Sequence, residues 1–464
     1  MKPLLPLTVA VTLALYGSVG LAKTVTTAQV LPQTMDVLRH AVSMQTVAGH
    51  GQVPAFAAYL ADKLKAGGFA AEDVQIIPVG ETAALVARYR GTGKGKPIYL
   101  SGHMDVVAAN RKDWTRDPFT LVEENGYLYG RGVADMKTGV AVLVETLIRL
   151  KQEGFKPSRD LVLLLSGDEE TTMASTSELA KRYHDAEFLL NADAGGGTLD
   201  PTTGKPSLYR IQAAEKAYAD FKVTLTSPGG HSSEPNPPQN PIYRLARAMD
   251  KVGAYQFPVM SDEITVTSMK ALGAHTPGAI GDAMRAFAAN PKDAQAAATL
   301  SADPAYVGQI RTTCVATLIN GGHALNALPQ AASANINCRI FPGTPISSVQ
   351  ATLVKVIDDP SAKLTVVPPP PLDSSASPLR KDVLDAVTRA VHQRYPGVEV
   401  VPGMSAGATD SKHFRPAGVA SYGVGPAFTK PNDTFAHGLN ERLPATEVAA
   451  ALDYWHYLLT DLAK

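Results

Sequence analysis

Two rhythms of apolar and polar positions alternate along this chain, and the changes between them mark its elements. Over 33–43 and 53–66 apolar residues recur at the three-to-four spacing of an amphipathic helix, and Gly67 and Gly68 stop the second of these. Short apolar runs over 74–79, 84–89 and 97–100 predict strands. Helical spacing returns over 140–150, and 161–165 is then an unbroken aliphatic run, the pattern of a strand buried on both faces. That run stops abruptly at Asp168, Glu169 and Glu170. A helical stretch over 175–183 and a short strand over 187–190 follow. Strands alternating with helices predict an α/β sheet with helices on both faces.

From about residue 209 the rhythm changes. AYADFKVTLT alternates as a strand with one exposed face and runs into a glycine-rich turn bearing His231. A helix over 242–252 and alanine-rich helical sequence over 261–310 precede strands over 312–319 and 331–340, which flank GGHALNALPQ. Lacking the strand–helix–strand rhythm, this stretch reads as a separate α+β domain, closed by the semi-rigid run Pro368 to Pro371. A helix over 379–394, a strand over 398–401 and a terminal helix over 445–462 resume the first domain. The predicted organisation is a three-layer α/β/α domain, 23–208 and 372–464, split around an inserted α+β domain, 209–371.

A chain of 464 residues fits two domains. Its 43 Lys and Arg balance 43 Asp and Glu, so no basic field recruits nucleic acid or an anionic membrane. Residues 1–22 hold a lysine, an apolar run and small residues ending at Ala22, which is the pattern of a cleaved secretory signal peptide. Pro3, Pro6, Gly17, Ser18 and Gly20 interrupt the run, against a membrane span. A periplasmic or secreted location follows. Cys314 and Cys338 then face an oxidising compartment, and antiparallel pairing of their strands would bring them close enough to be candidates for one disulfide.

Chemistry collects where the apolar runs stop. His103 and Asp105 end one strand, and two residues apart they share a face, so the carboxylate can support a metal-binding imidazole; a hydrogen-bonded surface pair has the same spacing. Asp135 precedes the helix over 140–150 and reads as its N-cap or as a ligand between strand ends. The three acids Asp168, Glu169 and Glu170 repel one another unless a divalent metal compensates, leaving one carboxylate as a base; a solvated turn before a helix is the plainer reading. Asp193 ends the next strand, and the terminal cluster holds His437, Asn440 and Glu441. Four successive strand ends bearing His, Asp, Glu and Asp are more than capping explains.

Taken in order, GHMDVV, GRGVADMKTG, SGDEE, GGHSSEP, NALP, INCRIFPG, GATDSKHF and FAHGLNE resemble the zinc-dependent exopeptidase and aminoacylase family. That family contains glutamate carboxypeptidase, aminoacylase and succinyl-diaminopimelate desuccinylase. The likeness covers essentially the whole mature chain and is strongest to the branch of carboxypeptidase S and the N-fatty-acyl amino acid hydrolases. It implies a di-zinc hydrolase domain with a ferredoxin-like lid and dimerisation domain. It also implies cleavage of an amide beside a free carboxylate, in small peptides or N-acyl amino acids. By the same resemblance Asp135 bridges two zinc ions per subunit, one shared with His103 and Asp193, the other with Glu170 and His437. Glu169 is then the general base and Asp105 orients His103. His231 would donate to the oxyanion from across a homodimer, while Asn326 and Arg339 hold the substrate; for Arg339 a structural ion pair is the competing role. Asp193 stands where relatives often carry Glu, and 171–173 lack a glycine common in the family.

Two other readings compete. Gly403 to Gly407 fit the G-x-S-x-G nucleophile elbow, with Ser405, Asp433 and His437 in the chain order of a serine hydrolase triad. No HGGG-like loop precedes it, and the acids after the 161–165 strand are left without a task. A non-catalytic periplasmic binding protein would clamp a ligand between the two lobes, but binding alone has no use for Glu169 beside a full ligand set.

Overall fold

The computed structural model describes residues 24–431 and 433–464, and the signal peptide predicted over 1–22 lies outside the described residues. The aliphatic strand, Leu161–Ser166, is buried along its whole length inside a ten-stranded sheet. Leu161, Leu163 and Leu165 enter the main core, roofed by Thr27–Ser43, Val53–Ala66, Lys137–Gln152, Lys381–Arg394 and Thr446–Leu462. Val162 and Leu164 enter a smaller core on the other face, beneath Ala174–Arg182 and Ser411–Phe414. The side-chain period of two thus accounts for both apolar layers.

Ile98–His103 lies parallel between Leu161–Ser166 and Phe188–Asn191, and Ser421–Gly423 extends the parallel set. The carboxyl ends of the three adjacent strands therefore meet at one edge, where open α/β sheets bind ligands. His103 stands directly opposite Ser166.

The second sheet has four strands in the order Thr313–Gly321, Ala331–Ile340, Ala217–Thr226, Lys363–Val366. Its core is filled by side chains from Pro241–Ala254 and Ile346–Ile357. The register sets Cys314 opposite Cys338, and a disulfide joins them.

Two boundaries differ from the sequence reading. Pro206–Glu215 pairs with Gly196–Leu199 and Glu399–Ser405 in the large sheet, so the chain changes sheets at Lys216 and not near 209. Two strands separated by a single residue read as one apolar run. The alanine-rich stretch reads by its place in the chain as part of the inserted domain, yet Glu263–His275 packs on the large sheet, with Ala271 and Leu272 against Leu208 and Val401. Gly278–Ala289, Ala294–Ala302 and Val307–Ile310 complete it around Met269, Met284, Phe287 and Leu300. Leu208 and Val401, on neighbouring strands, offer the apolar seat that draws these helices there. Among the described residues no helix is long and apolar enough to cross a membrane.

Candidate active site

His103 ends its strand almost completely buried, and its two ring nitrogens face different partners. Nδ1 lies 3.0 Å from the backbone oxygen of Asp105 and 3.5 Å from its carboxylate. Nε2 lies 3.1 Å from Asp135 and 3.4 Å from Asp193. Asp135 divides its carboxylate: Oδ1 meets His103, while Oδ2 is 3.1 Å from Nε2 of His437. His437 Nε2 in turn lies 2.9 Å from Glu170. One carboxylate therefore sits between two imidazoles, each backed by a further acid. Ligand atoms of His103, Asp135 and Glu170 lie within 4.8 Å of one another, close enough to hold one metal ion.

Asp135 is not the cap of the following helix; Met136 occupies that position. Its loop is fixed instead by Glu441, whose buried carboxylate accepts the amides of Gly132, Ala134 and Asp135 and pairs with Arg131 at 2.7 Å. Asp105 holds a loop as well as a ring, since its two oxygens accept the amides of Glu169 and Glu170, each at 3.0 Å. Of the three acids expected to project into the site, Asp168 does not. It accepts the amides of Ala174 and Ser175 and the hydroxyls of Thr172 and Ser175, which is the plain helix-start role. Glu169 is buried, and its Oε1 has no hydrogen-bond partner among the described residues.

Burial pushes the Glu169 carboxyl up to about 10 and that of Asp193 to about 7, with neighbouring acids adding to the rise. Burial opposes the charge on His103, but Asp193, Asp105 and Asp135 overcome it and hold its pKa well above the usual range. Hydrogen bonding to Asp135 lifts His437 to about 9 against burial, with Glu170 helping. Burial acts to raise Asp135 too, yet its two imidazole partners keep it well below the ordinary carboxylate value. A buried acid excess with imidazole nitrogens, no thiolate and one unpartnered carboxylate oxygen fits divalent cations of the zinc type.

Asp410 lies beneath this cluster, fully enclosed and raised to about 6 by burial; it accepts from the hydroxyls of Ser166 and Thr176. Its place inside GATDSKHF was legible, but its partners, one ending the strand Leu161–Ser166 and one in the helix Ala174–Arg182, were not.

A cleft of about 460 Å³ opens on the acids, lined also by Arg210, Gln309 and Ser405. His231 and Asn326 do not line it. They adjoin one another at a two-stranded ribbon, Gly230–His231 with Ala327–Leu328, where the Ser232 amide donates to the Asn326 carbonyl. His231 is exposed there, its Nδ1 2.7 Å from Ser233 Oγ. Arg339 reaches the rim, donating to the Ala406 carbonyl at 3.3 Å with its guanidinium over the Tyr218 ring; it has no ion-pair partner among the described residues. The serine triad is not assembled. His437 Nε2 faces Asp135 and Glu170, while Asp433 is bound by Tyr127 and Arg442.

A profile described as Peptidase family M20/M25/M40 matches residues 99–461. The chain is 27% identical over 401 residues to a probable carboxypeptidase S-like 2 of Dictyostelium discoideum, covering 82% of this chain and 75% of that protein. It is 28% identical over 364 residues to the N-fatty-acyl-amino acid synthase/hydrolase PM20D1 of Mus musculus, covering 75% and 70%. Among solved structures, an M20 family metallo-carboxypeptidase from Sulfolobus solfataricus superposes with a TM-score of 0.69 at 17% identity, over 93% of this chain and 99% of that one.

Proposed function

Since the chain belongs to peptidase family M20/M25/M40 and is a metal-dependent hydrolase, we propose that it is an exported di-zinc enzyme cleaving an amide beside a free carboxylate, in small peptides or N-acyl amino acids. The division of the Asp135 carboxylate between His103 and His437 carries this reading. His103, Asp135 and Asp193 would hold one ion, and Asp135, Glu170 and His437 the other. When bound, such ions supply Lewis acidity and offset the negative charge that develops on the scissile carbonyl.

The remaining work falls to the protein. Bound cations would offset the burial that raises the Glu169 carboxyl and leave it ionised; buried beside the ligand set with a free oxygen, it then takes the proton of the attacking water and returns it to the departing nitrogen. Asp105 keeps Glu169 and Glu170 in place through their amides. Arg339, at the rim and without an ion-pair partner among the described residues, would grip the substrate carboxylate.

His231 and Asn326, away from the cleft of their own chain, would complete the site of a second subunit. Thr313–Gly321 supports such a homodimer: it is an edge strand, and Val315, Leu318 and Ile319 are 60%, 65% and 66% exposed on it. An apolar, unpaired edge invites another strand. The Cys314–Cys338 bond favours an oxidising compartment, in accord with export.

The test is release of free amine from a panel of dipeptides and N-acyl amino acids by the zinc-loaded protein. Activity should vanish after chelation and return with zinc, at two ions per chain by elemental analysis. Absence of amine release from every member of the panel by fully loaded protein would refute the reading.

A further inference from the structure

Arg210 lies on Pro206–Glu215, paired with Gly196 on one side and Val401 on the other. Residues two apart on a strand share a face, so Leu208, Arg210 and Gln212 form one row. The helices of residues 263–310 cover the Leu208 end of that row through Ala271 and Leu272. Arg210 and Gln212 are left open to the cleft, and Val307–Ile310 brings Gln309 into its wall. The stem of Arg210 runs across Gly403, where a Cβ would stand 2.3 Å from its Cδ and 2.6 Å from its Cγ. The missing side chain is what admits the arginine.

Among the described residues Arg210 is the one arginine or lysine of the cleft lining, every other charged group there being His437 or an acid of the metal-type cluster. Its side chain is exposed toward the cleft, packing around its stem lowers its pKa, and an arginine keeps its charge at any physiological pH. A guanidinium that faces the cleft with no ion-pair partner among the described residues is available to a ligand carboxylate. The planar fork suits a carboxylate held by two hydrogen bonds. Apolar side chains in the lining are confined to Met404 and the alanines at 194, 406 and 408, too few to seat a long acyl chain.

We infer that Arg210 is a specificity residue, forming with Gln309 a seat for a second substrate carboxylate, so that the enzyme selects dipeptides with an acidic side chain. This rests on the amide hydrolysis proposed above and narrows it, the first carboxylate being the one common to all substrates.

The test compares kcat/KM for Ala-Glu with Ala-Gln, and for Glu-Ala with Gln-Ala, in the zinc-loaded enzyme. In one of the two orders the acidic substrate should be favoured by about tenfold to a hundredfold. Arg210→Gln should bring that ratio near one, Gln309→Ala should lower it, and Arg210→Glu should turn preference toward lysine-containing dipeptides. A wild type indifferent to the acid, or a ratio unchanged in Arg210→Gln, overturns the inference. Equal losses on acidic and neutral substrates also overturn it, since Arg210 would then hold the common carboxylate. Calorimetric binding of glutamate against glutamine to wild type and Arg210→Gln, each with an unchanged melting temperature, reads the same preference without turnover. It therefore separates failure of this seat from failure of the amidase reading.

Discussion

The Glu441 carboxylate accepts the backbone N–H of Asp135 at 3.0 Å, and this joins the two halves of the metal-type cluster. Glu441 lies four residues after His437, whereas Asp135 precedes it by about three hundred residues in the chain. A fully buried acid thus holds the loop of the shared carboxylate against the segment that carries its second imidazole. Glu441→Leu leaves Arg131 charged, buried and unpaired, and should destabilise the protein by about 3–5 kcal/mol in denaturant melts. Glu441→Gln should fold but bind metal about ten to a hundred times more weakly in competition with a chelator.

Glu169→Gln should keep both ions by elemental analysis while kcat falls by about 10²–10⁴. Turnover near the wild-type rate in a fully loaded variant would take the base role away from Glu169.

If His231 serves a partner, Glu169→Gln and His231→Ala should complement each other. Co-refolded chains that pair at random should recover up to about a quarter of wild-type activity, because only mixed dimers hold one intact site. Zero recovery, with mixed dimers verified by mass spectrometry, would return His231 to its own chain or to no site.

Hydrogen bonds from Arg244 hold the Asp359 carboxyl down at about 2, although burial acts the other way. A lowered folded-state pKa gives stability that is complete above the unfolded value near 3.8 and is lost as pH falls toward 2. Screening at this partly exposed pair reduces the contribution to about 1 kcal/mol. Between pH 5 and about 2, wild type should therefore lose this increment relative to Asp359→Asn, read as converging urea midpoints.

The aliphatic run over 161–165 and the residues that stop it made the central strand and the place of Glu169 and Glu170 legible, because a doubly buried strand leaves no choice of face and its end must meet solvent or a ligand; the ligand set itself came from the family resemblance. Local pattern did not show that Asp168 turns into the helix start while its two neighbours do not; that depends on the amides of Ala174 and Ser175. Arg210 carried no signal either. Its meaning comes from Gly403 and Gln309, each about a hundred or more residues away in sequence, and only the pairing of Pro206–Glu215 with Glu399–Ser405 brings the first of them alongside. The seat of the 263–310 helices was hidden for a related reason, since an amphipathic helix announces an apolar face but not the surface that receives it.

The placement of those helices also bears on how the two lobes can move. A domain inserted once is tethered by an outgoing and a returning strand and can pivot about that pair. Here the polypeptide passes between the lobes four times: at Lys216, between Ala254 and Glu263, between Ile310 and Thr313, and after Val366. Four tethers share any displacement, so swinging is restrained to an axis running through all of them. A swing of the smaller lobe must therefore bend four connections at once, where a lobe inserted once would bend two.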